Sequence, residues 1–164
     1  IDFCENMLEL AREKVKKRMN GRPRNVSFAL GDAKDIRFSD NSFDLATAGF
    51  GMRNIPDTTA ALKEVKRVLK PGGHFHHSDM LRPGNKVVEE LYYGYLRACL
   101  TFTAVIFRSG NAALNCRDYF ISTLRMFYSA DELSQMLKQV GFQEVASKTL
   151  LGGMLGFHKA TKAP

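Results

Sequence analysis

Along the first eighteen residues, Met7, Leu8, Ala11 and Val15 recur at helical spacing against a face of Lys, Arg and Glu, which predicts an amphipathic helix over 5–18. "NGRPRN" then breaks it. The apolar runs shorten to "VSFALGDA" at 26–33, a strand closing on Gly31-Asp32, and to a second strand within "NSFDLATAGF". Asp57 can cap the next helix, whose apolar positions Ala61, Leu62, Val65, Val68 and Leu69 share one face until Pro71-Gly72-Gly73 stops it. "HFHHSDM" follows at once as another strand. Ile1-Asp2-Phe3 reads as the end of a strand already under way, so a first strand-loop-helix unit is expected to precede residue 1.

Past residue 84 the pattern changes. Residues 86–107 are helical in period and rich in aromatics, and an irregular polar patch, "RSGNAALNCRD", follows them. Ser129 and Glu132 form a capping-box signature ahead of Leu133, Met136, Leu137 and Val140, with Gly141 as the stop. "FQEVASKTLL" and "MLGFHKATK" are joined by Gly152-Gly153, a hairpin signal. The alternation of strands and helices predicts an α/β fold: a mostly parallel sheet with helices on both faces and an antiparallel C-terminal pair. We expect one domain over 1–164, with 84–128 an insertion that is either a substrate lid or a packing helix.

Ligands of such sheets lie outside the carboxyl ends of the strands. Three strand ends therefore matter: Asp2, Asp32, and Gly49 to Asn54. In the last of these, packing alone asks for neither two glycines nor an Arg-Asn pair. Carboxylates at successive strand ends can accept from the ribose hydroxyls and from an adenine amine of a nucleoside; each can equally be a helix cap or a turn residue.

With 164 residues, 45% hydrophobic and 25% charged, the chain has the composition of a globular protein with a real core. A net charge of +7 is concentrated in "REKVKKRMNGRPR" at 12–24. Such a run is the solvated face of a helix or attracts an anionic partner; with no aromatic interleaved, nucleic acid is not expected. Cys4, Cys99 and Cys116 form neither a disulfide framework nor a CxxC pattern, as suits a reducing cytoplasm. The longest uncharged apolar-rich run, at 98–107, is far short of the ~20 residues of a membrane span. Alternation along "HFHHSD" puts His74 and His76 on one face and His77 and Asp79 on the other, so no metal site is expected there.

"GDA" after its strand, "NSFDLATAGFGMRN", "ALKEVKRVLKPGGHF" and the late "GGMLGFH" together resemble the S-adenosylmethionine-dependent methyltransferases of the UbiE type, which C-methylate quinone precursors. "RVLKPGG" is common to many methyltransferases, whereas "FGMRN" at 50–54 is closer to this family. The resemblance implies a Rossmann-like class I fold, S-adenosylmethionine as cofactor and a prenylated demethylated quinol as substrate. It implies a cytoplasmic enzyme, with peripheral membrane association or a homodimer as further expectations. It makes Asp2 the ribose acid and Asp32 with Ala33 the adenine contact, and sets Met7, Gly49 and Phe50 beside the cofactor. Arg53 and Asn54 would stabilise and orient the ionising hydroxyl, Asp79 would serve as a base at a strand end facing the pocket, and Tyr92, Tyr119 and Arg125 would meet the substrate. The family usually carries a small hydroxyl residue at Gly49, apolar residues at His76 and His77, and a proline at Thr101. Two other readings remain: a methyltransferase of this fold with another small acceptor, and a non-catalytic partner in a biosynthetic complex.

Overall fold

Asp57 accepts a hydrogen bond from the Ala60 amide at 2.9 Å and so starts α2 (Thr58–Val68) in the computed structural model, which describes residues 1–18, 25–108 and 110–164. α1 is Glu5–Arg18, as its periodicity predicts. β1 (Phe43–Gly49) runs parallel to β2 (Leu69–Met80), the strand that leaves α2 with one residue, Leu69, as its cap. α3 (Lys86–Ile106) and α4 (Gly110–Met126) form a helical pair, and α5 (Ala130–Val140) leads into β3 (Phe142–Leu150) and β4 (Leu155–Lys162). The sheet order is β1-β2-β4-β3, with β4 antiparallel to both neighbours. It is a mixed sheet; among the described residues parallel pairing joins β1 to β2, and Asp2 to Leu30 in an isolated bridge outside the named strands.

Three expectations are corrected. The strand over 26–33 shrinks to that single bridge, closed by Asp2 N–H on Ala29 O at 3.2 Å and Gly31 N–H on Asp2 O at 3.0 Å, because no other extended segment lies alongside it among the described residues. The polar patch after residue 107 is not irregular: from Gly110 onward it is the first half of α4, tied to α3 by Arg117 donating to Thr101 Oγ1 at 2.7 Å. The two-glycine hairpin is a longer connection, since Leu150 pairs with Leu155 and Leu151–Gly153 make a 3₁₀ turn with φ of 68° and 95° at the glycines. The break at 20–25 and the second half of the basic run fall largely outside the described residues.

The core lies on one face of the sheet. Leu62 and Val65 of α2, Leu133 and Leu137 of α5, and Phe75, Phe142 and Ala160 of the strands are buried together. α5 has both halves of its capping box, and Gly141 ends it at φ 92°, where a Cβ would be strained. Strand alternation sends Phe75, His77 and Asp79 into this layer and leaves His76 exposed on the opposite face. A second cluster, Tyr92, Tyr93, Ile121 and Leu124, seats the α3–α4 pair against Met80 and Met154. Among the described residues no helix is long and apolar enough to cross a membrane.

Candidate active site

The end of β1 turns sharply. Phe50 adopts φ 56°, a left-handed conformation uncommon for a side chain of this size, while its amide donates to Ser78 O at 2.9 Å. Gly51 then opens a 3₁₀ turn, Met52–Asn54, anchored by buried Met52 and closed by Asn54 N–H on Gly51 O at 3.0 Å. This turn aims Arg53 back at the end of β2. Its Nη1 donates to Asp79 Oδ1 at 2.6 Å and to Phe50 O at 3.3 Å, and the guanidinium lies over the Phe120 ring, 5.4 Å from its centroid. The Asp79 side chain is 0% exposed and that of Arg53 13%.

Asp79 was expected as a base open to the pocket. The structure instead buries it, because alternation along β2 puts position 79 on the covered face, and commits its Oδ1 to Arg53 and to the Met80 amide at 2.8 Å. Burial pushes this carboxyl up, but His77, Arg53 and the Met80 amide outweigh it and hold it below the ordinary aspartate value. Asp79 thus orients Arg53 and balances its charge.

The helical pair closes over this turn. Tyr119 donates its hydroxyl to Asn54 Oδ1 at 3.3 Å, joining α4 to the 3₁₀ turn. Tyr92 is buried with its hydroxyl unpartnered among the described residues; burial raises its pKa while the charge of Arg53 lowers it. Tyr93 is pushed up to about 12, chiefly by burial. Arg125 does not join the group: it pairs with Glu90 at 3.0 Å and stacks 4.6 Å from the centroid of Tyr93. Arg53 therefore meets Asp79, and its neighbour Asn54 meets Tyr119. Phe120 and His77 also belong here, and the sequence analysis assigned neither a role. His77 was detectable from its alternation with Asp79, whereas the contact of Phe120 depends on how α4 crosses the sheet end.

The other strand ends hold the nucleoside candidates. Asp2 Oδ1 accepts from the Cys4 amide at 2.9 Å, and Asp32 Oδ1 from the Lys34 amide at 2.8 Å, with Lys34 Nζ 3.6 Å from its Oδ2. The Asp2–Leu30 bridge brings these two strand ends side by side. Each carboxylate keeps acceptor capacity after its backbone bond, enough for ribose hydroxyls or an exocyclic amine. Gly49 is exposed, and a Cβ there would stand 3.6 Å from Ser78 Oγ, an ordinary contact, so its own neighbours do not require glycine and the space is open to a ligand. Ala33 packs against the main core, while Met7 and Phe50 are exposed. This pair of acceptors fits an adenosine moiety.

A model of the ubiE/COQ5 methyltransferase family matches residues 1–162. The demethylmenaquinone methyltransferases of Staphylococcus haemolyticus (strain JCSC1435) and Staphylococcus aureus (strain Newman) are each 35% identical over 162 residues, which is 99% of this chain and 64% of theirs. The chain thus spans 64% of the length of these curated relatives. Among solved structures, a Bacillus halodurans C-125 protein described as a methyltransferase is similar at TM-score 0.69 and 19% identity, over 99% of this chain and 81% of that one. Haemonchus contortus phosphoethanolamine N-methyltransferase 2, in complex with S-adenosyl-L-methionine, is similar at TM-score 0.68 and 17% identity, over 99% and 42%. At such identities these likenesses show the fold, which is Rossmann-like.

Proposed function

Since the chain belongs to the ubiE/COQ5 methyltransferase family, we propose that the whole protein methylates a ring carbon of a demethylated quinol, with S-adenosylmethionine as the donor. The naphthoquinol, demethylmenaquinol, is favoured over a polyprenyl-methoxy-benzoquinol by the names of the curated relatives. The observation that carries the reading is the Arg53 fork, pinned by Asp79 at 2.6 Å beside Asn54 and Tyr119 at the end of a strand.

S-adenosylmethionine supplies a methyl group on an electrophilic sulfonium. Asp2 would accept from its ribose hydroxyls, Asp32 with Ala33 would meet the adenine, and Gly49 admits close approach of the amino-acid end. The acceptor carbon becomes nucleophilic only when the neighbouring ring hydroxyl ionises. Arg53 is charged at any working pH and so stabilises that oxyanion rather than removing its proton. One Nη1 bond pair holds the fork still, and its Nη2 makes no hydrogen bond among the described residues. Asn54 Oδ1 is occupied by Tyr119, which leaves its amide N–H groups to donate to the same oxygen.

Full-length protein should transfer a labelled methyl from S-adenosylmethionine to short-tailed demethylmenaquinol, and Arg53→Lys should lower kcat by about 10²-fold with cofactor affinity nearly unchanged. Lysine keeps the charge and loses the planar fork. Parental kcat in the variant, or no ring methylation of either quinol, overturns the proposal.

A further inference from the structure

We propose that His77 is a positioning residue for the Arg53–Asp79 pair, holding the carboxylate oxygen that Arg53 leaves free. His77 and Asp79 lie two residues apart on β2 and share its covered face, so ring and carboxylate run side by side. His77 Nε2 is 3.8 Å from Asp79 Oδ2, and the two side chains are 1% and 0% exposed. Both bonds that Asp79 makes go to Oδ1. Oδ2 has no partner among the described residues, and neither ring nitrogen of His77 has one. A buried acceptor and a buried donor thus face each other about 0.6 Å beyond the hydrogen-bond range.

Around the pair stand Arg53 from the turn after β1, Tyr92 from α3 and His158 from β4, with Phe75 stacked against the His77 ring and Phe127 tilted beside it. His158 lies opposite His77 in the β2–β4 register, 5.7 Å between ring centroids. Its Nε2 is 3.1 Å from Ala130 O, so that nitrogen carries the proton, and burial first, then the neighbouring His77, lower its pKa. Arg53 and Asp79 balance each other's charge. The geometry asks of His77 only that Nε2 carry a proton toward Oδ2.

This arrangement has a use if Arg53 turns toward a developing oxyanion, a clause that rests on the proposed methyl transfer. As the guanidinium shifts, Asp79 would be left buried with one donor fewer. A bond from His77 keeps the carboxylate ionised and in place, and Arg53 returns to the same geometry after each turnover.

The test uses full-length protein with His77→Phe, which keeps a ring of similar bulk, and His77→Gln, which keeps a donor. The titration midpoint of the Asp79 carboxyl, followed by carbon NMR, should rise in His77→Phe and return toward the parent in His77→Gln. This readout needs no substrate, so it stands or falls apart from the assigned reaction. With demethylmenaquinol, kcat in His77→Phe should drop by about 10-fold to 10²-fold, the range for a misplaced positioning group, and the acid limb of its pH profile should move to higher pH. A merely structural histidine would change stability and leave the Asp79 midpoint and the pH profile where they are. An unmoved midpoint in folded His77→Phe, or the same loss in His77→Gln, overturns the proposal. If His77→Phe fails to fold, a His77→Gln midpoint at or below the parental value supports it, and a clear rise overturns it.

Discussion

Removal of the Arg53 guanidinium would leave Asp79, with a side chain 0% exposed, as an uncompensated carboxylate. Breaking one partner of a buried pair costs about 3–5 kcal/mol, whereas replacing both by apolar groups is far milder. Arg53→Met should therefore destabilise the protein by that amount in urea unfolding, and Arg53→Met with Asp79→Leu should recover most of it; equal losses in both would mean the pair is not the source. The same pair sets an acid limit. Asp79 titrates below its ordinary value in the folded state, despite burial, because His77, Arg53 and the Met80 amide stabilise its charge. Its contribution is present above the unfolded carboxylate pKa of about 3.9 and is lost as pH falls through the lower folded value. Asp79→Asn should flatten the decline of stability below about pH 4. Arg53 and Asn54 were legible in the sequence as residues that packing does not demand. Their partners were not, since Asp79 reaches Arg53 only through the register that sets Gly49 beside Ser78.

At the scale of elements, local signals were read well where one helical turn contains the whole device. Asp57, the Ser129–Glu132 box and Gly141 all act as their sequence predicts. α4 escaped because Asn111, Asn115 and Arg117 mask its period, while the tie that stabilises it, Arg117 to Thr101, lies on another helix. α3 presents an outward stripe, Val87, Leu91, Tyr95, Phe102 and Val105, at spacings of three to seven residues; Leu91 is 70% exposed and Val105 69%. A quinol with a prenyl tail partitions into a bilayer, and this stripe is the face that we expect to rest on it. Full-length protein should co-sediment with anionic vesicles, and Leu91→Glu with Val105→Glu should weaken that binding by about tenfold or more, given the area of two side chains. Turnover of a short-tailed quinol should not change. Undiminished vesicle binding would remove α3 from the membrane contact.

Across the whole molecule, the sheet has two edge strands among the described residues, β1 and β3. β1 pairs with β2 on one side only, and along it Phe43, Leu45 and Thr47 are exposed. An exposed strand edge with apolar side chains is a template for another strand. The 164-residue chain by itself should therefore self-associate in sedimentation velocity at tens of micromolar, and Leu45→Lys should shift it toward monomer. A monodisperse parent chain would show that the edge is protected in some other way.

The sequence by itself determined four of the five helices described, with the caps of α2 and α5, the order of strand ends, the acids at Asp2 and Asp32, and the Arg53-Asn54 pair at a strand end. These follow from periods of two and 3.6 and from backbone geometry that a few neighbouring residues control. Tertiary structure alone decided that the 26–33 strand dwindles to one bridge, that Asp79 turns inward to Arg53, that Tyr119 closes on Asn54 while Arg125 goes to Glu90, and that His77 stands beside Asp79 with an oxygen to fill. Each of these joins residues far apart in the chain or depends on which face of a strand the helices cover. Such pairings are set by register and by long-range packing, for which no local pattern carries the information.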